Sequence, residues 1–462
     1  MNKDVTAITD RKRTLIFINI VLSCIASSLL ATALTTALPA IISDLNISVT
    51  TGQWLTSGYS LAMGIMMPLT AFLIRRFKTR KLYLTSIAIF IGGLILCTIA
   101  PNFPFMMTAR IMQAAGNGML TSMAQVIILT IYPAEKCGTA MGWYGLSIGA
   151  APVIAPTLAG IIVDAINWQA IFYISIAIMT VSFIFALFVF EDVLKTEDTK
   201  FDTISFILSA FAFGGITLGI GNIGSYNFVS LQVLFTLSIG SISSAMFIYR
   251  QLHLESPFLE LRMLKNKNYM LSVIGSMLLY LIMMGSSMIM PLYAQSIMGC
   301  SATVSGLIVL PGSIIMAVIS PLVGKIYDRL GMRLLFISGA LFMLLSNIGM
   351  FFITMNTSVW LASFYNAIRN ASIGCLMMPL VTWGTSSIKM ELTADATALL
   401  TSLRTIFGAI GTAVFVGIMT SVANNSVSTY GSNSSIHGLN IAFLCMSALT
   451  CILVLIGVLK VK

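Results

Sequence analysis

The segment PLTAFLIRRFKTR at residues 68–80 returns at residues 321–333 as PLVGKIYDRLGMR. Pro68, Leu69, Ala71, Arg76 and Arg80 correspond to Pro321, Leu322, Gly324, Arg329 and Arg333, all at one offset of 253 residues. In both copies an apolar run ends in a cluster of cations, as a membrane helix does where it leaves the bilayer on the side where Lys and Arg gather. The repeat divides the chain into two related halves. Repeated membrane halves that rock about a central site are the usual construction of secondary transporters.

Composition supports this. Of 462 residues, 58% are apolar and 9% charged, against roughly a quarter charged in a soluble domain. That excludes a soluble globular protein, and the abundance of apolar surface excludes a disordered one. Fourteen apolar runs follow one another from residues 14–39 to residues 438–459, each long enough to cross a bilayer as a helix. Outside these runs Lys and Arg fall on the side shared with the N-terminus, whereas the opposite loops hold Asp44 and Asp164 and no cation. The pattern predicts an even number of spans with both termini in the cytoplasm, and it makes the net charge of +10 a mark of topology and not of nucleic-acid binding. Seven cysteines without CxxC spacing and only two histidines argue against a metal or nucleophilic centre. No phosphate-binding G-x4-G-K-[ST] loop occurs. The expectation is an all-α polytopic membrane protein: a six-helix bundle over 1–190, an inserted helix pair with linkers over 191–268, and a second six-helix bundle over 269–462.

Within the fourth run, Arg110, Gln113, Asn117, Thr121 and Gln125 recur at helical spacing, a stripe about 22 Å long on one helix face. An arginine at that depth usually faces a water-filled cavity or a partner. The length of the stripe favours a polar pathway over simple interhelical hydrogen bonding. Arg369 in the twelfth run and Arg404 in the thirteenth add intramembrane positive charge.

These segments resemble the major facilitator superfamily, more narrowly its fourteen-helix drug:proton antiporters and their lincomycin-resistance branch. The family's G-x-L-x-D-R-x-G-R-R/K loop is kept in the second copy as Gly324, Asp328, Arg329, Gly331 and Arg333. The first copy retains Arg76 but carries Arg75 for the acid and Lys78 for the second glycine. Arg110 to Gly118 resembles R-x-x-Q-G-x-G. Gly142, Gly145, Gly149, Pro152, Pro156 and Gly160 resemble the antiporter motif of the fifth helix, with alanines at several glycine positions. Met378 to Gly384 and Thr401 to Arg404 resemble two further signatures of the branch.

The resemblance implies two six-helix bundles plus two inserted helices in the major facilitator fold, acting as a monomer in the cell membrane without cofactor. It implies export of small amphiphilic drugs by proton-coupled alternating access, with Arg76, Gly324, Asp328, Arg329 and Arg333 at a cytoplasmic gate. Trp54, Tyr59 and Trp383 are candidate drug contacts. A carrier for one metabolite and a non-transporting sensor are the alternative readings. The chain departs from the family in the first run, where Leu30 replaces an acidic residue. No Asp or Glu lies at mid-membrane, which leaves Asp44, Asp164 and Asp328 as proton-binding candidates. The intramembrane charge is positive, favouring neutral, zwitterionic or anionic substrates.

Overall fold

A computed structural model describes residues 9–47, 49–194, 196, 201–223, 230–254, 257, 259–300 and 302–461. Among these every regular element is helical. The long helices are α1 (Asp10–Asp44), α2 (Val49–Arg76), α3 (Thr79–Thr98), α4 (Phe103–Ile131), α5 (Ala134–Ala165), α6 (Gln169–Val189), α7 (Thr203–Ile223) and α8 (Leu231–His253). They continue as α9 (Lys267–Leu292), α10 (Ala302–Leu330), α11 (Met332–Phe351), α12 (Val359–Ser386) and α13 (Thr393–Asn425). A single helical turn, α14 (Val427–Tyr430), then precedes α15 (Ser434–Lys460). Each apolar run of the sequence falls on one of the long helices.

Among the described residues eleven helices are long and apolar enough to cross a membrane, or twelve if the two arms of α2 count as one span. Those arms meet at 44° at Pro68, as expected where the ring removes a donor and crowds the preceding turn. α12 is not among the eleven; it carries Asn366, Arg369 and Asn370, and most of its residues are enclosed by protein. Outward faces elsewhere are apolar, with Phe188 82% and Leu231 78% exposed, the arrangement lipid requires and water would penalise.

The ends follow from short polar side chains. Asn102 accepts from the Phe105 N–H at the start of α4, Ser230 from Val233 at α8, and Asn266 from Asn268 and Tyr269 at α9. Arg75 and Arg76 close α2 where the helix dipole favours cations. Between α10 and α11, Gly331 has φ +74°, a conformation that favours glycine. The corresponding Lys78 turns at φ −57°, so the first copy makes its loop without needing the lost glycine.

Helices α1–α6 pack chiefly on one another, as do α9–α13 with α15, except that α5 and α10 pack most extensively on each other across the halves. α7 and α8 pack together so closely that a Cβ on Gly215 would lie 2.7 Å from the Gly240 backbone, and α7 also touches α2 and α13. The two halves meet along a seam where α5 faces α10 and α12, and α13 faces α2 and α4. The buried core of the first half continues through Tyr269 and Val273 of α9, Met378 and Val381 of α12 and Ala394 to Leu400 of α13. The remainder of the second half has a separate core. The halves are thus fused by apolar packing at the cation-rich end.

Candidate translocation path and gate

At that end α10 lies against α5 with almost no side chain between them. A Cβ on Gly142 would sit 2.5 Å from the Ser320 carbonyl oxygen, and one on Gly324 would collide with the Gly138 carbonyl. The closeness lets the Asp328 carboxylate reach the second turn of α5. It accepts from the Gly138 N–H at 2.7 Å, the Thr139 N–H at 2.8 Å and the Thr139 hydroxyl at 2.5 Å. Charge-assisted bonds of this kind are roughly twice as strong as neutral ones.

Arg75, at the position that matches Asp328 in the repeat, makes the reciprocal contact. Its Nη1 lies 3.1 Å from Oδ2 of Asp395, in the first turn of α13, and its Nη2 donates to the Pro257 carbonyl at 3.3 Å. Asp395 has no exposed surface and is the buried carboxylate among the described residues. Each half therefore reaches across the seam from the end of one helix to the beginning of the other half's long α5 or α13, but with opposite sign. The sequence reading overlooked Asp395. The cation in place of an acid at Arg75 was the available signal, since a partly buried arginine needs an anion.

The other proposed gate residues separate. Gly324 and Asp328 lie in the seam, whereas Arg76, Arg329 and Arg333 are exposed at its margin. Arg80 instead fastens the chain after α6, with its N–H on Asp192 at 3.1 Å and Nη2 on the Leu187 carbonyl at 2.6 Å. At the opposite end, Asp44 accepts from Trp168 Nε1 at 3.0 Å.

The α4 stripe is buried throughout most of its length, but its members have different surroundings. Arg110 donates from Nε to the Leu55 carbonyl at 3.1 Å and from Nη1 to Gln113 Oε1 at 2.5 Å, and stacks over Tyr59 at 4.0 Å. Gln113 donates to Cys97 Sγ at 3.1 Å, and Asn117 to the Tyr59 hydroxyl at 2.7 Å. Thr121 donates to Asn117 Oδ1 at 3.4 Å. Further along the helix, the Gln125 amide lies beside the Tyr144 side chain of α5. Arg369 donates to Asn366 and lies 5.9 Å from the Phe443 ring, within the second half. Arg404 stacks 4.8 Å from Tyr280. Its Nε and Nη1 have no acceptor, and the hydroxyls of Thr397, Thr401 and Ser402 on the same helix also lack partners.

Of the three candidate drug contacts, Tyr59 is buried under Arg110, Trp54 is 42% exposed and Trp383 is half-buried. Trp54 lies near the start of α2 and Trp383 near the end of α12, at opposite ends of the bundle, so one pocket does not take both. On α5, Gly142 and Gly145 meet α10 and α12. The surroundings of Gly149, Pro152, Pro156, Gly160 and Asp164 lie outside the described residues.

Two packed helical halves, a polar seam between them and acid or cation anchors at one end define a membrane carrier. The chain belongs to the Major Facilitator Superfamily, whose sequence profile matches residues 16–412. It is 38% identical over 89% of its length to the MFS-type transporter YcnB of Bacillus subtilis, covering 88% of that protein. It is 35% identical over 90% of its length to the lincomycin resistance protein LmrB of the same organism, covering 87% of it. The structure of the proton:xylose symporter XylE aligns with a TM-score of 0.65 over 96% of both chains at 12% identity, which establishes the common fold. The resemblance to the lincomycin-resistance branch read from the motifs is borne out, as is the multi-pass helical architecture.

Proposed function

We propose that this chain exports amphiphilic drugs across the cell membrane by proton-coupled alternating access. The similarity to LmrB supports the substrate class. The observation that carries the alternating-access reading is the set of polar groups shut without partners on α13, the helix that faces α2 and α4 of the other half: Thr397, Thr401, Ser402 and Arg404. Leaving a buried donor or acceptor unpaired costs about 1–3 kcal/mol. Such a set is retained when the same groups are wet in a second conformation. The fused core at the cation-rich end supports a state closed towards the cytoplasm and awaiting opening there.

In this reading fourteen helices span the membrane, with both termini and the cation loops inside. Residues 1–190 and 269–462 form the moving bundles, with 191–268 carrying the inserted pair. The Asp328 contact with α5 and the Arg75–Asp395 pair are twin latches of the cytoplasmic gate. The protein acts as a monomer, with protons as the driving ion and no catalytic chemistry of its own. Asp44, Asp164 and Asp328 remain the proton-binding candidates from sequence, and the burial of Asp395 adds it to them.

Uptake of lincomycin into everted membrane vesicles under an imposed pH gradient tests the proposal. Accumulation that requires the chain and collapses with the gradient is the expected result. Accumulation indifferent to the gradient would remove proton coupling. Transport of a single metabolite and no drug would replace the exporter with a specific carrier.

A further inference from the structure

Among the described residues three arginines are buried between the helices, and their partners set them apart. Arg110 is bonded within the first half to Leu55 and Gln113. Arg369 is engaged within the second half by Asn366 and Phe443, although its Nη1 is unpartnered. Arg404 is 4% exposed and has a ring beneath it, but no acceptor for its buried Nε and Nη1. Tyr280 of the second half lies under its guanidinium. Tyr144 of the first half lies against the Gln125 amide and near Arg404, which places Arg404 in the seam. The buried carboxylate on the same helix, Asp395, is nine residues away, about 13 Å along the axis, and is paired with Arg75.

A guanidinium has donors and no acceptor capacity, and its planar fork matches an oxyanion. Tyr280 holds that plane by stacking, while the Thr401 hydroxyl, three residues back on the same helix face, has a bond to give. Opening the seam to the cytoplasm exposes this group of donors together, without a fixed carboxylate to neutralise them.

We propose that Arg404 is a substrate-binding residue that takes the acidic head of an amphiphile, a carboxylate or other oxyanion, with Thr401, one turn away on the same helix face, as an additional donor. The proposal rests on the exporter reading and narrows it: the preferred cargo carries a negative head on an apolar body. The substrate tail leaves the polar cluster towards Tyr280 and the Met284 side chain that packs beside Gly408.

The test uses the full chain in lipid nanodiscs, titrated with decanoate, decanesulfonate and decanol against empty nanodiscs as baseline. At neutral pH both anions bind about tenfold more tightly than decanol. Arg404→Gln removes that difference while decanol still binds, and Arg404→Lys keeps part of it. The wild-type protein supplies a second reading that needs no variant. As pH falls through the carboxylate range, about 4 to 5, decanoate drops to the level of decanol and the sulfonate keeps its advantage. Equal binding of all three by the wild type, or an anion preference that survives Arg404→Gln, overturns the subsite and leaves the exporter reading standing. Binding of none of them also overturns the subsite, and the exporter reading then stands or falls by the lincomycin uptake.

Discussion

Arg110 is enclosed by the Leu55 carbonyl, the Gln113 amide and the Tyr59 ring, and its removal strands acceptors in a dry site. Hydrogen bonds to charged groups contribute about 1.5–3 kcal/mol, so Arg110→Ala is expected to reduce lincomycin efflux by about tenfold or more at equal membrane abundance. Arg110→Lys keeps the charge but not the fork and should recover only part of the rate. Full efflux from the alanine variant, measured in everted vesicles, would remove Arg110 from the path. Helical spacing put Arg110 and Gln125 on one helix face. It did not disclose that Arg110 is held by the Leu55 carbonyl and the Tyr59 ring of α2 while Gln125 lies beside Tyr144 of α5, because that depends on other helices.

Among the elements, the ends of α2 and α13 offer a sharper test. Breaking a buried ion pair by removing one partner costs about 3–5 kcal/mol. Arg75→Asp and Asp395→Arg should each loosen the gate and impair efflux, while the double variant Arg75→Asp/Asp395→Arg restores much of it. Non-additivity in that cycle, of about 0.5–3 kcal/mol, would be read from the thermal stability of the purified protein. Two independent losses that simply add would show that the pair does not act as a unit. The repeat at 68–80 and 321–333 marked the two helix ends as equivalent. The helix that each one reaches was not legible, because local sequence cannot indicate which distant helix start abuts a loop.

The linker side of α7 adds a pH dependence. Burial disfavours the Asp202 carboxylate, but the Arg250 bridge at 3.0 Å and the bonds from Ser205 outweigh it and hold the carboxyl below its ordinary value. A depressed carboxyl stabilises the fold above the unfolded-state value, near 3.9, and that stabilisation is lost as pH falls through the lower folded-state value. Amide exchange at the start of α7 is therefore expected to stay slow at pH about 5. It should speed up at that pH in Asp202→Asn.

For the molecule as a whole, the fused core predicts which side opens. Thr397 has no exposed surface, so in a cysteine-less background Thr397→Cys should resist thiol reagents applied to the cytoplasmic face. Adding Gly324→Val inserts bulk against the Gly138 carbonyl and should expose that cysteine several-fold faster. Unchanged protection would contradict a gate at this seam. The class of fold was legible because a bilayer demands long apolar helices, and every apolar run duly lies on a long helix. The closed state was not legible, since one sequence encodes each conformation of the cycle.

The twin anchors also differ in what evolution can take away. Asp328 holds two backbone amides as well as the Thr139 hydroxyl, and no ordinary codon change deletes an amide from Gly138 or Thr139 short of proline. Arg75 depends on another side chain, so either of two codons can disable it. Inactivating substitutions at the α2–α13 contact should therefore be losses or reversals of charge at Arg75 or Asp395. At the α10–α5 contact they should include any added side chain at Gly138, where a Cβ would lie 2.5 Å from the Asp328 carboxylate. Selection for lost resistance would reveal this as two different kinds of mutation at the two anchors.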